Sequence, residues 1–163
     1  MLTELPFKFP GRVYSSAMPF GPFDRFHELW PLYLERDVEL IVVLTEPAEY
    51  HVFAGMDLVS FYEGAGMDVI HLPIPDHGLP PDRKAFREAV RTIVEHGHKG
   101  RSIAIHCLAG IGRTGTFLAC LARQNLGYSG RDAIHWVRKY VPGALENARQ
   151  EQFVLNYSSE VDR

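Results

Sequence analysis

Cysteine is scarce in this chain: Cys107 and Cys120 are the two among 163 residues. Two cysteines make no disulfide framework, so the expected setting is a reducing one, the cytoplasm. An excess of positive charge is also missing. Seventeen Lys and Arg face 20 Asp and Glu, for a formal net charge of −3, which argues against nonspecific binding to nucleic acid or to an anionic membrane. No apolar run approaches the length that spans a bilayer. The N-terminal Met-Leu-Thr-Glu-Leu-Pro has no basic segment followed by an apolar stretch, so no secretory leader is expected. Repeats, low-complexity tracts and linkers are absent as well. What remains is 46% hydrophobic and 23% charged, the balance of a soluble globular protein. Its length suits a single domain covering residues 1–163.

Periodicity alternates strands with helices. Arg12-Val-Tyr-Ser reads as a short edge strand, and residues 22–36 as a helix that Pro31 kinks or breaks. Residues 39–44 form a continuous apolar run, the pattern of a central parallel strand. Residues 48–66 hold one or two short helices, and residues 68–73 another strand. A Pro- and Gly-rich loop, 73–81, leads to an amphipathic helix over 82–96, with Asp82 at its start. Ser102 to Ile105 form the next strand and Thr116 to Ala122 a buried helix. Ser129 caps a helix over 130–140 that Pro142-Gly143 ends, and a last helix runs from about Ala148 to Ser158. The fold class is α/β, with a central, mainly parallel sheet flanked by helices.

Between the 102–105 strand and its helix lies His106-Cys-Leu-Ala-Gly-Ile-Gly-Arg-Thr-Gly115. A cysteine, five residues and an arginine make a phosphate cradle with a nucleophile at its base. Backbone N–H groups at a strand end and helix start, here those of Leu108, Ala109, Gly110, Ile111 and Gly112, suit an anion. The same field favours a thiolate at Cys107. Arg113 offers a planar fork for two phosphoryl oxygens. The segment from Gly110 to Gly115 also fits the dinucleotide-binding fingerprint, with Asp132 at the spacing of its acidic residue. That reading requires a strand ending at Asp132, whereas the residues that follow are helical in pattern. No Gly-Lys-Ser/Thr is present.

The cradle supplies no proton for a leaving oxygen, so phosphate-ester cleavage needs a carboxylic acid from another loop. Asp76, in Ile74-Pro-Asp-His-Gly78 after a strand, is the candidate. Its alternative reading, a cap for the following helix, fits Asp82 better. His106 orients the cradle through its ring N–H or is simply a satisfied core histidine.

The pattern His-Cys-x-x-Gly-x-x-Arg-Thr-Gly, after a strand and opening a helix, resembles the signature of the cysteine-dependent protein tyrosine phosphatase superfamily. Pro142-Gly-Ala-Leu-Glu146-Asn-Ala-Arg-Gln150, Leu44-Thr-Glu46, Ile74-Pro-Asp76 and Gly115-Thr-x-x-Ala-Cys120 extend the resemblance to small atypical dual-specificity phosphatases, over residues 10 to 155. The resemblance implies a phosphotyrosine protein phosphatase-like fold and a cysteinyl-phosphate intermediate, with Asp76 as general acid and base. It implies a Thr114 hydroxyl on the departing sulfur (Thr114 also reads as a helix cap) and a Gln150 that positions the hydrolytic water, with Glu146 assisting. It also implies a Glu46 that orients Arg113. Ordinary polar positions remain the alternatives for Gln150 and Glu46. Two departures stand out: Val141 where the group often has arginine, and His77 where an aromatic often follows the aspartate, which reads as a solvated loop histidine, with a pH-sensitive contact at the pocket rim as the alternative.

No lysine lies inside the cradle, which favours a monophosphate on a protein over a polyphosphoinositide. The expected partners are a phosphorylated protein or peptide, phosphotyrosine first and phosphoserine or phosphothreonine second, and oxyanion inhibitors in the cradle. No nucleic acid, membrane, cofactor or metal is expected, since the His96-Gly-His98 pair makes a poor metal site, and the expected state is a monomer. Cys120 reads as core. The competing class is a phosphate-binding scaffold, which would ordinarily have lost the cysteine, arginine or acid.

Overall fold

A computed structural model of the chain describes residues 1–158; residues 159–163, the end of the expected domain, lie outside it. Five strands, β1 (Thr3–Leu5), β2 (Arg12–Ser16), β3 (Leu40–Val43), β4 (Asp68–His71) and β5 (Ser102–His106), form one sheet in the order β1-β2-β5-β3-β4. The β1–β2 pair is antiparallel and the other three pairings are parallel. Seven helices complete the described residues: α1 (Leu29–Glu35), α2 (Pro47–Phe53), α3 (Leu58–Gly64), α4 (Arg83–His98), α5 (Gly112–Leu126), α6 (Gly130–Tyr140) and α7 (Ala148–Asn156). None is long and apolar enough to cross a membrane.

Strand side chains alternate between faces, and the two halves of the core divide accordingly. Leu40, Val42, Ile103 and Ile105 join Phe86, Phe117 and Phe153 from α4, α5 and α7. Ile41, Val43 and Ala104 join Tyr33, Tyr50 and Tyr62 from α1, α2 and α3. With both faces covered, the interior strands read as continuous apolar runs rather than alternations. Phe86 is fully buried, with ring centroids of Phe117 and Phe153 at 5.3 and 5.2 Å. Phe86→Ala is expected to cost about 3–5 kcal/mol, read as a lowered midpoint in urea unfolding; a loss below about 1 kcal/mol would mean the site refills by relaxation.

Two elements differ from the sequence expectation. Arg12–Ser16 is not an edge: β1, which is too short for a periodicity signal, covers it, with Thr3 opposite Ser15. The helix expected from residue 22 begins at Leu29. Asp24, 5% exposed, takes hydrogen bonds from the backbone N–H groups of Phe20 (2.9 Å), Glu28 (2.9 Å) and Leu29 (3.3 Å). Those bonds hold residues 20–28 as a turn. Pro31 falls in the first turn of α1, where its missing N–H would have no helical partner in any case, so it breaks nothing. The caps behave as expected: Asp82 accepts from Ala85 N–H at 3.0 Å and Ser129 from Asp132 N–H at 3.1 Å.

Parallel strands bring their carboxyl ends to one rim, where ligands of open α/β sheets bind. β5 leads to Cys107, β4 to Asp76, β3 to α2, and β2 to the turn around Asp24.

Candidate active site

Cys107 sits at the base of a cavity of about 200 Å³ lined by Phe23, Asp76, His77, Leu108, Arg113 and Glu146, among others. Its side chain is buried, and its Sγ accepts a hydrogen bond from Gly110 N–H at 3.2 Å. Gly110 has φ +78°, and a Cβ there would lie 2.5 Å from the Ser16 carbonyl oxygen. No other residue fits that turn without displacing β2. The loop is tied to the same strand end by Met18 N–H donating to Leu108 O at 3.0 Å. Ile111 is the N-cap of α5 and offers no side-chain cap. The first-turn N–H groups of this 15-residue helix are therefore free to meet an anion.

Arg113 is 2% exposed and held from three sides. Its two terminal nitrogens donate to the Glu49 carboxylate at 2.7 Å each, one also to Ile74 O at 2.9 Å and the other to Asp76 at 3.1 Å. Burial alone would lower the guanidinium pKa, but the bonds and charge of Glu49, with the charges of Cys107 and Asp76, outweigh it and raise it. Arg113 thus stays a cation in a desolvated place, its fork fixed before any ligand arrives.

The orienting carboxylate is Glu49 and not Glu46, which corrects the sequence expectation. Glu46 is exposed, and its backbone N–H donates to the Glu49 carboxylate at 2.7 Å. It begins α2 so that Glu49, one turn in, faces Arg113. The Glu-Pro-x-Glu spacing, a capping-box-like start, was the signal available in the sequence.

Asp76 and Glu146 meet through His77. The His77 ring nitrogens lie 2.6 Å from Glu146 and 3.5 Å from Asp76, and its backbone N–H donates to Asp76 at 3.0 Å. His77 carries φ +59°, an uncommon backbone for a residue with a Cβ, and Asn147 donates to its carbonyl at 2.9 Å. His77 is exposed, as expected of a solvated loop histidine, and it also lines the cavity and links the acid loop to the α6–α7 loop. Asp76, His77 and Glu146 bring three donor atoms within 4.8 Å of one another.

His106 is fully buried, with Nδ1 3.0 Å from Cys107 O and Nε2 3.0 Å from the Tyr62 hydroxyl. A carbonyl only accepts, so Nδ1 carries the proton and Nε2 accepts from Tyr62. Tyr62 was not foreseen. Burial pushes the His106 imidazole down to about 4. An unfolded histidine takes a proton near pH 6.5 while the folded one refuses it until about 4. The stability this neutral ring permits is therefore intact above about pH 6.5 and declines by roughly 3 kcal/mol as pH falls to about 4. His106→Asn should remove that component of the acid slope in urea titrations; a slope equal to wild type would contradict it.

Thr114 is fully buried, its hydroxyl has no hydrogen-bond partner among the described residues, and it is not the cap of α5. Gln150 is fully buried: its Oε1 accepts from Glu146 N–H at 2.8 Å and its Nε2 donates to Gly78 O at 3.4 Å. Both ends of the amide are thus turned to the protein, joining the acid loop to α7. Glu146 presses over the cradle, since a Cβ on Gly112 would lie 2.7 Å from its carboxyl carbon. Cys120 is fully buried with its pKa raised by that burial, an inert core thiol. Phe23, 59% exposed and presented by the Asp24 turn, is a cavity wall that no sequence signal marked.

A mainly parallel sheet whose central strand delivers Cys107 into an arginine-closed cradle is the architecture of the cysteine-dependent protein tyrosine phosphatases. The family described as "Tc-R-P: Polymorphic toxin system, DSP-PTPase phosphatase" matches residues 24–125, and the chain belongs to it. Tyrosine-protein phosphatase non-receptor type 20 of Rattus norvegicus is 30% identical over 145 residues, 81% of this chain and 34% of that protein. Dual specificity protein phosphatase CDC14B of Mus musculus is 31% identical over 100 residues, 60% of this chain and 19% of that one. The chain thus spans about a third or less of the length of these curated relatives. Among solved structures, Tk-PTP in the active form superposes with a TM-score of 0.72 at 35% identity, over 91% of this chain and 92% of that one. Kinase associated phosphatase with its catalytic cysteine changed to serine gives 0.83 at 21% identity, over 94% and 91%, a likeness of fold.

Proposed function

We propose that the protein is a phosphatase that hydrolyses phosphotyrosine in proteins, and phosphoserine or phosphothreonine as well, through a cysteinyl-phosphate. The observation that carries this reading is the meeting of three groups from three segments: Cys107 Sγ against Gly110 N–H, Arg113 fixed by Glu49, and Asp76 3.1 Å from Arg113 across the same cavity. The Cys107 thiolate attacks phosphorus in line, and the bond to the leaving oxygen breaks as Asp76 gives that oxygen its proton. Arg113 and the amides of residues 108–112 hold the equatorial oxygens. Water then attacks the cysteinyl-phosphate and Asp76 takes its proton. The sulfur departs as thiolate, with the unpartnered Thr114 hydroxyl to receive it.

Gln150 and Glu146 serve as positioning residues that hold the acid loop, and His106 holds the cradle by its carbonyl. The exposed ring of Phe23 suits a phenyl group, which supports phosphotyrosine as the first substrate. The two unpaired thiols, both buried, agree with a cytoplasmic setting. The test is phosphate release from a phosphotyrosyl peptide, a phosphothreonyl peptide and a phosphoinositide under reducing conditions. The phosphotyrosyl peptide should be fastest and the phosphoinositide slowest. Inactivity on all three would sink the reading and favour a phosphate-binding scaffold.

A further inference from the structure

The turn between β2 and α1 presents two phenyl rings to solvent, Phe23 at 59% and Phe26 at 81% exposure. Several contacts fix this turn. Asp24 accepts from three backbone N–H groups, and the Phe20 ring packs edge-on to Phe61 and His27, with centroids 5.5 and 5.6 Å away. Phe20 and His27 hold φ +64° and +53°, a left-handed backbone uncommon for side chains of that bulk. Strain kept on both sides of two exposed rings points to a use for them. A turn fixed in advance also binds with little ordering cost.

A cavity of about 200 Å³ joins these rings to α1: Phe23, Phe26, Leu29 and Leu32 are among its lining residues. Phe23 also lines the Cys107 cavity, so the two cavities share one ring. Of the charged lining residues, Asp24 is buried in the turn, and the exposed Arg25 and Glu28 carry opposite signs. Binding there falls to the apolar walls. The volume is below that of pockets for drug-sized ligands and suits a single side chain. A substrate chain with its phosphoresidue in the Cys107 cavity covers at most about 11 Å in three residues, enough to pass one phenyl ring.

We propose that this cavity is a subsite for a large apolar side chain of the phosphoprotein substrate, leucine or phenylalanine, one to three residues from the phosphoresidue. The inference rests on the phosphatase reading above and adds a substrate class to it. Phe26 lines this cavity and not the catalytic one, and its exposure means that replacing it leaves the core intact.

The experiment compares phosphotyrosyl peptides that differ only in Leu or Ser at positions one to three on either side, with p-nitrophenyl phosphate as a substrate without flanks. Wild type should favour a Leu peptide by about ten-fold in kcat/KM, mainly through KM. The preference should hold as salt rises, unlike one carried by charge. Phe26→Ser should bring the ratio within about two-fold while keeping p-nitrophenyl phosphate turnover, and Leu32→Ser, from α1, should act in the same direction. A wild type that turns over p-nitrophenyl phosphate without preferring any Leu peptide overturns the subsite, as does a preference that survives Phe26→Ser. Sedimentation of wild type as a dimer that Phe26→Ser returns to monomer, with no peptide preference, overturns it as well and gives the cavity to a second copy of the chain. Failure on p-nitrophenyl phosphate itself strikes instead at the phosphatase reading, and the subsite falls with it.

Discussion

Cys107→Ser is expected to lower turnover of a phosphotyrosyl peptide by about 10⁴-fold or more while leaving peptide binding in place. A serine hydroxyl attacks phosphorus only if a base removes its proton. The imidazole of the preceding residue cannot do so: Nδ1 of His106 is engaged by the Cys107 carbonyl and Nε2 by Tyr62, and burial holds the ring neutral down to about pH 4. The partner this position offers is Gly110 N–H, which accepts no proton, and an alcohol is a far weaker acid and nucleophile than a thiol. The check is steady-state phosphate release beside direct binding of the labelled peptide. Acid-quenched wild type should also carry phosphate on Cys107. Serine-form activity within ten-fold of wild type would remove the cysteine from the chemistry.

Asp76→Asn is expected to cost about 10² to 10⁴ in kcat for phosphotyrosine. The amide keeps the shape of the loop and can still accept from His77 N–H and Arg113, but it has no proton to give. The loss should depend on the leaving group. It should be largest for phosphoserine, whose alkoxide must be protonated, and smallest for p-nitrophenyl phosphate, whose phenolate departs unaided. Equal losses across that series would mean Asp76 acts through Arg113, which it touches at 3.1 Å, rather than as the acid. Glu49 provides the contrast. It bonds Arg113 at both ends without lining the cavity, so Glu49→Gln should loosen substrate binding with little dependence on the leaving group.

Much of this arrangement was legible along the chain because its signals are local. The apolar runs at Leu40–Val43 and Ser102–His106 required strands buried on both faces, and Asp82 and Ser129 required helix starts. The cradle announced itself because its cysteine, glycines and arginine must follow one another closely to wrap a single phosphate. β1 escaped notice because three residues carry no period; its place comes from pairing with β2. Residues 22–28 form a turn and not the expected helix because the buried Asp24 carboxylate outweighs helical patterning by taking three backbone N–H groups.

The sequence by itself determined the α/β class, the loop bearing Cys107 and Arg113, and the loop bearing Asp76, since each depends on neighbours within a few residues. Only the tertiary structure decided that Glu49 and not Glu46 grips Arg113, that His77 joins Asp76 to Glu146, and that Gln150 binds Gly78. Those partners are 64, 69 and 72 residues apart in the chain. No local pattern carries a contact of that range: several carboxylates could equally have reached the guanidinium until the sheet order brought the ends of β3, β4 and β5 to one rim.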